Sequence, residues 1–244
     1  MHRAPGRRST RRRIAAGRRC PHFRTTEGAA MIRLDIFSDP ICPWCYIGKA
    51  LLDRALETRP DHPFAIEWHP FQLNPEMPPE GMDRRTYLET KFGSRQAAAE
   101  AYTRVQGAAE AAGLEIDLAA IQRTPNTLDA HRLIHWAGLE GRQTPVVSAL
   151  FRSYFREGLD IGDPEVLADI AGRCGMDRAL TLRLLASDSD REDLAARDAD
   201  ARAKGVRAVP TFLVARRHVV PGAQPVELWQ QVIDELAGQD GADA

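Results

Sequence analysis

No stretch of this 244-residue sequence approaches the roughly 18 to 20 consecutive apolar residues that a membrane helix needs, so a soluble protein is expected. Cysteine is scarce. Its four residues (Cys20, Cys42, Cys45 and Cys174) are too few for a disulfide scaffold. A second C-x-x-C is missing, which leaves zinc without an evident set of about four ligands. No apolar stretch follows the basic N-terminal residues, so neither a secretory nor a twin-arginine signal is read there, and a cytoplasmic, reducing setting is expected. In that setting a cysteine pair is catalytic or metal-binding more often than structural. There is no internal repeat.

Charge is balanced only in the sum. Residues 1–30 hold nine arginines and one glutamate, a net +8, so the chain's −1 leaves −9 on the other 214 residues. A basic tail on an acidic body can contact nucleic acid or a membrane surface. Such composition cannot bury a core, however, and Met31 is followed at once by the strand-like Ile32-Arg33-Leu34-Asp35-Ile36-Phe37. Residues 1–30 therefore read as a disordered basic extension or a mis-assigned start, with neither nucleic acid nor membrane as partner.

What is present falls into an ordered series. A strand over 32–37 and a loop over 38–41 lead into a helix from about Pro43 to Thr58, with Ile47, Leu51, Leu52, Ala55 and Leu56 on one face. Phe64, Ile66 and Trp68 alternate with Ala65 and Glu67, the period of a half-buried strand. Strand–helix–strand implies a parallel pair with a right-handed crossover. After a proline-rich loop over 70–82 comes a long helical region. Ser94 caps one helix, Asn126 with Asp129 a second, Thr144-Pro145 starts a third, Asp163-Pro164 a fourth, and Ser189 with Glu192 forms a capping box for a fifth. Thr211-Phe212-Leu213-Val214 and His218-Val219-Val220 read as a hairpin, followed by an amphipathic helix bearing Val226, Trp229, Ile233 and Leu236. The whole is an α/β chain, β-α-β and β-β-α around a helical middle.

The chemistry concentrates at Cys42-Pro43-Trp44-Cys45, where a strand hands over to a helix. A thiolate is the nucleophile in disulfide exchange, and a helix N-terminus favours negative charge. Cys42, at the start, gains most from that field and is the expected attacking thiol. Cys45, one turn in, is placed to attack the mixed disulfide formed at Cys42. Pro43 removes no bond there, because an N–H at that position has no partner in the helix. A structural disulfide at this spacing closes too small a loop to stabilise much. Val209-Pro210-Thr211-Phe212 puts a proline at the entry to a strand; a cis bond there would turn the backbone toward the cysteines and offer the Val209 main chain to an extended substrate. His131 and His135 are four apart on one helix, but without a metalloprotease pattern they read as a polar helix face, and no metal is expected. Cys174 falls beside Leu167, Ile170 and Ala171 and reads as a buried, inert thiol. The run Asp188 to Lys204 reads as a solvated helix.

The segment Ser38-Asp39-Pro40-Ile41-Cys42-Pro43-Trp44-Cys45-Tyr46-Ile47-Gly48 resembles the active-site segment of the DsbA-like thioredoxin family, in particular its FrnE-like branch. Trp68-His69-Pro70-Phe71-Gln72-Leu73-Asn74-Pro75, Thr127 with Ala130-His131, Val209-Pro210-Thr211-Phe212 and Gly222-Ala223-Gln224-Pro225 resemble further blocks, over about residues 31–237. The resemblance implies a thioredoxin fold built from 31–75 and 204–238, with an all-helical insertion over 76–203. It implies a dithiol–disulfide oxidoreductase in which Cys42 attacks, Cys45 resolves and Pro210 is the cis proline. Pro43, Trp44, Trp68, His131 and Val209 would line the substrate cleft. The cofactor would be only the redox-active Cys42–Cys45 disulfide, with glutathione as a candidate co-substrate. The partner would be a thiol- or disulfide-containing protein or small molecule, and the protein a monomer or homodimer.

Two departures stand out. The Arg216-Arg217 turn has no Gly or Asn to accept positive φ. Trp44 stands where periplasmic DsbA has His between its cysteines, which leaves strong oxidising power without its usual support. The glutathione-dependent isomerases and transferases of the 2-hydroxychromene-2-carboxylate isomerase and kappa type resemble the chain in architecture. They typically have Ser at the Cys42 position, so the intact pair argues against them. A redox-sensing or chaperone-like binding protein is the non-enzymatic alternative.

Overall fold

The computed structural model describes residues 31–239. The basic extension, with Cys20, lies outside them. Strand β1 (Ile32–Ser38), helix α1 (Pro43–Glu57) and strand β2 (Phe64–Pro70) open the fold. The middle holds β3 (Met82–Asp83), α2 (Arg84–Phe92), α3 (Arg95–Ala111), β4 (Arg123–Thr124), α4 (Leu128–Leu139), α5 (Gln143–Phe155), α6 (Pro164–Arg173), α7 (Arg178–Leu185) and α8 (Arg191–Ala203). Strands β5 (Thr211–Val214) and β6 (His218–Pro221) and helix α9 (Val226–Gln239) close it. No described helix is long and apolar enough to cross a membrane.

The main sheet runs β2-β1-β5-β6. Strand β1 is parallel to β2 and antiparallel to β5, and β6 folds back on β5. This is the thioredoxin-like α/β frame with inserted helices. Leu34 and Ile36 of the central strand are fully buried, and Phe212 beside them meets Trp229 of α9 edge-on at 4.8 Å. Such a pair contributes about 0.5–1.5 kcal/mol beyond its burial. Tyr46 of α1 stacks on Phe151 and Phe155 of α5, at 5.2 and 5.6 Å, and so ties the N-terminal end of α1 to the inserted helices.

Several local expectations shift. The insertion also carries the two-residue β3–β4 pair, too short for any periodic signal. Thr127, not Asn126, is the N-cap of α4; the Asn126 side chain instead accepts the Leu128 N–H and the Gln72 amide. Helix α5 begins at Gln143, one residue before the Thr144-Pro145 start, and ends at Phe155. The Ser189–Glu192 capping box does not form. Asp190, in the left-handed region, is the N-cap of α8, and the Ser189 N–H bonds to the Ser187 hydroxyl. Helix α7, capped by Asp177, went unread.

The fifth helix is solvated as its charge suggests, with Leu194, Asp198 and Ala201 turned inward. His131 contradicts the polar-face reading: it is 2% exposed, on a helix whose Arg132 is also fully buried. A polar side chain is read as surface only when nothing folds over it, and here α8 packs against α4.

Candidate active site

The site forms where β1 ends. Cys42 is the N-cap of α1, and its carbonyl accepts from both the Cys45 N–H (3.1 Å) and the Tyr46 N–H (3.2 Å). Its own N–H donates to the Asp39 carbonyl at 2.9 Å, which fixes the turn before the helix. Pro43 fills the first helical position. Both cysteines are free thiols, Cys42 3% and Cys45 1% exposed, while Trp44 between them is 40% exposed.

From the far end of the chain comes the second half. The Val209–Pro210 peptide bond is cis, and the Cys42 thiol points at the Val209 carbonyl with Sγ 3.6 Å from the oxygen. Gly48 permits this approach. A Cβ there would stand 3.1 Å from Pro210 Cγ and 3.4 Å from the Ala223 Cα. The absence of a side chain thus lets α1 lie against the loop that carries Val209.

Burial pushes the Cys45 thiol well above the ordinary cysteine range, and the neighbouring Cys42 pushes it the same way; the Ser38 side chain and the Asp39 backbone oppose the shift. Asp39, three residues before Cys42, is completely buried. Its carboxylate accepts the Leu73 N–H at 2.6 Å and the Ile41 N–H at 3.3 Å, and bonds to the Thr127 side chain. Desolvation outweighs these bonds and raises its pKa to about 7. No role was read for Asp39 in the sequence. The available signal was a carboxylate set between Phe37 and Ile41 in a loop leaving a central strand.

Trp68 and His131 come together, but behind the active-site loop rather than at the sulfurs. Trp68 Nε1 donates to the Thr144 hydroxyl at 3.0 Å. The two side chains share a small pocket with Ser38 and Pro40. Among the described residues His131 Nε2 has no hydrogen-bond partner, and burial lowers its pKa to about 4.

Cys174 is the C-cap of α6 and only half-buried, which corrects the reading of a buried thiol. Its pKa is raised by desolvation, against the pull of Arg152, Arg173 and Arg142. One cluster escaped the sequence. Asp35, Glu67 and His69 converge across β1 and β2, but Arg33 fills their centre, 2.6 Å from Asp35 and 2.7 Å from Glu67.

A model of the DSBA-like thioredoxin domain matches residues 33–234. The chain belongs to this family. A probable DsbA oxidoreductase from Streptomyces coelicolor is 30% identical to this DSBA-like chain, with a TM-score of 0.75 over 85% of this chain and 90% of its own. The uncharacterized protein YwbO of Bacillus subtilis (strain 168) is 28% identical over 210 residues, 84% of this chain and 96% of its own. The cytosolic disulfide reductase DsbM from Pseudomonas aeruginosa shares the fold, with a TM-score of 0.63 at 18% identity over 85% of this chain and 99% of that one. The DSBA-like assignment and the 30% identical probable oxidoreductase agree with a chain whose two buried thiols stand at a helix N-terminus.

Proposed function

We propose that this DSBA-like protein is a thiol–disulfide oxidoreductase acting through Cys42 and Cys45. The observation that carries the proposal is the placement of Cys42 at the N-terminus of α1 with its sulfur against the Val209 carbonyl. In the reductive direction the Cys42 thiolate attacks one sulfur of a substrate disulfide. The substrate S–S bond breaks, a mixed disulfide forms and one substrate thiolate leaves. Cys45 then attacks the Cys42 sulfur, its proton passing to the departing substrate sulfur. The substrate is reduced by two electrons, and a Cys42–Cys45 disulfide remains. Run backwards, the same steps oxidise a dithiol.

The roles divide by environment. Cys42 is the N-cap of α1, with its sulfur at the Val209 carbonyl. Burial holds Cys45 protonated until the mixed disulfide forms, which keeps the two thiols from competing. Val209 offers a main-chain acceptor beside the sulfur, and the exposed Trp44 gives the substrate an apolar edge. The Ser38–Gly48 segment supports placement in the FrnE-like branch. A cytoplasmic setting is part of the proposal, as is a thiol-bearing protein or small-molecule client, with glutathione as the candidate co-substrate. Trp44 in place of His favours an exchanger whose direction follows the surrounding redox couple.

Insulin-disulfide reduction tests this, with wild type and Cys42→Ala supplied with the same thiol donor. The wild type turns over and the variant falls to the uncatalysed rate. A wild type inactive in both reduction and oxidative refolding defeats the proposal.

A further inference from the structure

Among the described residues, strand β2 lies at the edge of the main sheet and pairs with another strand on one side only. The Pro63 carbonyl accepts from Ile32, and the Phe71 N–H donates to Ser38, so the odd-numbered residues of this stretch face β1. Even-numbered residues face outward. At Trp68 the outward groups are taken by one side chain: Gln143 Oε1 accepts the Trp68 N–H at 2.9 Å and Gln143 Nε2 donates to the Trp68 carbonyl at 3.1 Å. Gln143 thus stands in for one peptide unit of a neighbouring strand. At Phe64 the outward N–H is held by His62 Nδ1 at 3.3 Å. Between them lies Ile66.

The outward main chain of Ile66 opens into a groove of about 710 Å³ between the edge of β2 and helices α4, α5 and α8. Ile134, Leu139 and Leu194 supply its apolar lining. His131, with its unpartnered Nε2, also lines it. Its charged and titratable groups are Arg33, Glu67, Arg197, His131 and His135. Arg33 is held by both Asp35 and Glu67. Among the described residues Arg197 is bridged only to Asp193, one turn away on the solvent-exposed side of its own helix. Such a surface pair contributes little and leaves Arg197 able to turn to a ligand. Neither Cys42, Cys45 nor Pro210 lines it, and Trp68, His131 and Ile134 separate it from Ser38 and Pro40.

We propose that this groove is a docking site for an extended peptide segment, which adds a short strand at Ile66, seats an apolar side chain against the exposed Leu139, and turns an acidic one toward Arg197. Open edge strands are templates for such pairing, with main-chain bonds giving affinity and side-chain pockets giving selectivity. Gln143 and His62 fix the register by leaving one peptide unit open. That the segment belongs to a disulfide-bearing client rests on the exchange reading; the docking itself does not.

The test is an NMR titration of backbone and side-chain amides with a short capped peptide alternating valine and glutamate, with a valine–lysine peptide as control. Saturable shifts are expected at the Ile66 N–H and the Gln143 side-chain amide, and unchanged in Cys42→Ser. Ile66→Pro removes the outward N–H and should weaken binding on the order of tenfold. Arg197→Glu, on the exposed face of α8, should weaken it a few-fold and favour the lysine peptide. Both variants should still reduce a small aromatic disulfide at the wild-type rate. Shifts confined to Val209 and Pro210, or none, overturn the proposal. An unchanged affinity in Arg197→Glu overturns the acidic occupant. Loss of small-disulfide turnover in wild type with docking intact counts against the exchange reading alone.

Discussion

Cys42 Sγ lies 3.6 Å from the Val209 carbonyl oxygen, a contact between residues 167 apart in the chain. It joins the two halves of the thioredoxin-like frame at one sulfur. Helix α1 brings the thiol, the loop before β5 brings the acceptor, and Gly48 sets how closely the two approach.

Gly48→Val should therefore impair exchange more than folding. A Cβ at 3.1 Å from Pro210 Cγ already requires a few tenths of an ångström of give, and valine adds two further carbons. Turnover of insulin disulfides is expected to drop by roughly tenfold or more, with a stability loss of about 1–3 kcal/mol. A variant with wild-type turnover would remove Gly48 from the account.

Asp39 links stability to pH. Its folded pKa of about 7 lies above the ordinary 3.8, so the folded state holds a proton that the unfolded state has lost across that interval. Stability from this group is fully present below about pH 4 and declines as pH rises toward 7. Asp39→Asn removes the charge and keeps one of the two acceptor oxygens, for the Leu73 N–H, at a fixed cost at the Ile41 N–H. Relative to wild type it should therefore gain stability between pH 4 and pH 7. Urea denaturation at both pH values reads this; an equal difference at the two removes the linkage.

Arg132 holds a loop the sequence left unread. Its guanidinium is fully buried and donates to the Leu184, Ser187 and Ser189 carbonyls at 2.7, 2.8 and 2.7 Å, and to Asp129 at 2.8 Å. It thereby closes the C-terminal end of α7. Arg132→Met orphans these carbonyls and should lose on the order of 3–5 kcal/mol in chemical denaturation. A loss below about 1 kcal/mol would show that water replaces the guanidinium at little penalty.

The hairpin turn carries local strain. Ala215 and Arg216 sit at φ 52° and 57°, a region that disfavours side chains by roughly 1–2 kcal/mol per residue. Arg216→Gly should raise the melting temperature, by an amount equivalent to about 1 kcal/mol after glycine's greater unfolded-state freedom is set against the relief. A lowered melting temperature would mean that the arginine side chain contributes more than the turn geometry does.

The sequence made the frame legible wherever the signal was local. Alternation at Phe64, Ile66 and Trp68, the α1 stripe, and the paired strands around the Arg216-Arg217 turn each report a face or a turn, although the residues that take up positive φ are Ala215 and Arg216, one position earlier. The cysteine motif was legible for the same reason, since its chemistry and its helix start are neighbours. What stayed hidden depends on partners far along the chain. Gln143, one position ahead of the helix start read at Thr144, carries no local signal until it meets Trp68, 75 positions away. His131 reads as part of a polar helix face, and Arg132 carries no signal of its own, until α7 and α8 fold over α4. Asp39 reads as a loop acid until Leu73 and Thr127 enclose it. Caps erred by a residue at Asn126 and Ser189 because α4 and α8 start at Thr127 and Asp190, whose side chains make no cap hydrogen bond that a sequence pattern could signal.

The most direct test of the exchange account is trapping. Cys45→Ser leaves the attacking thiol and removes the resolving one. Incubated with a disulfide-bearing peptide and analysed by mass spectrometry, this variant should accumulate a mixed disulfide on Cys42. Wild type should instead release the reduced peptide and retain a Cys42–Cys45 disulfide. A Cys45→Ser protein that forms no adduct, or a Cys42→Ser protein that forms one on Cys45 at the same rate, would contradict the assignment of the two sulfurs.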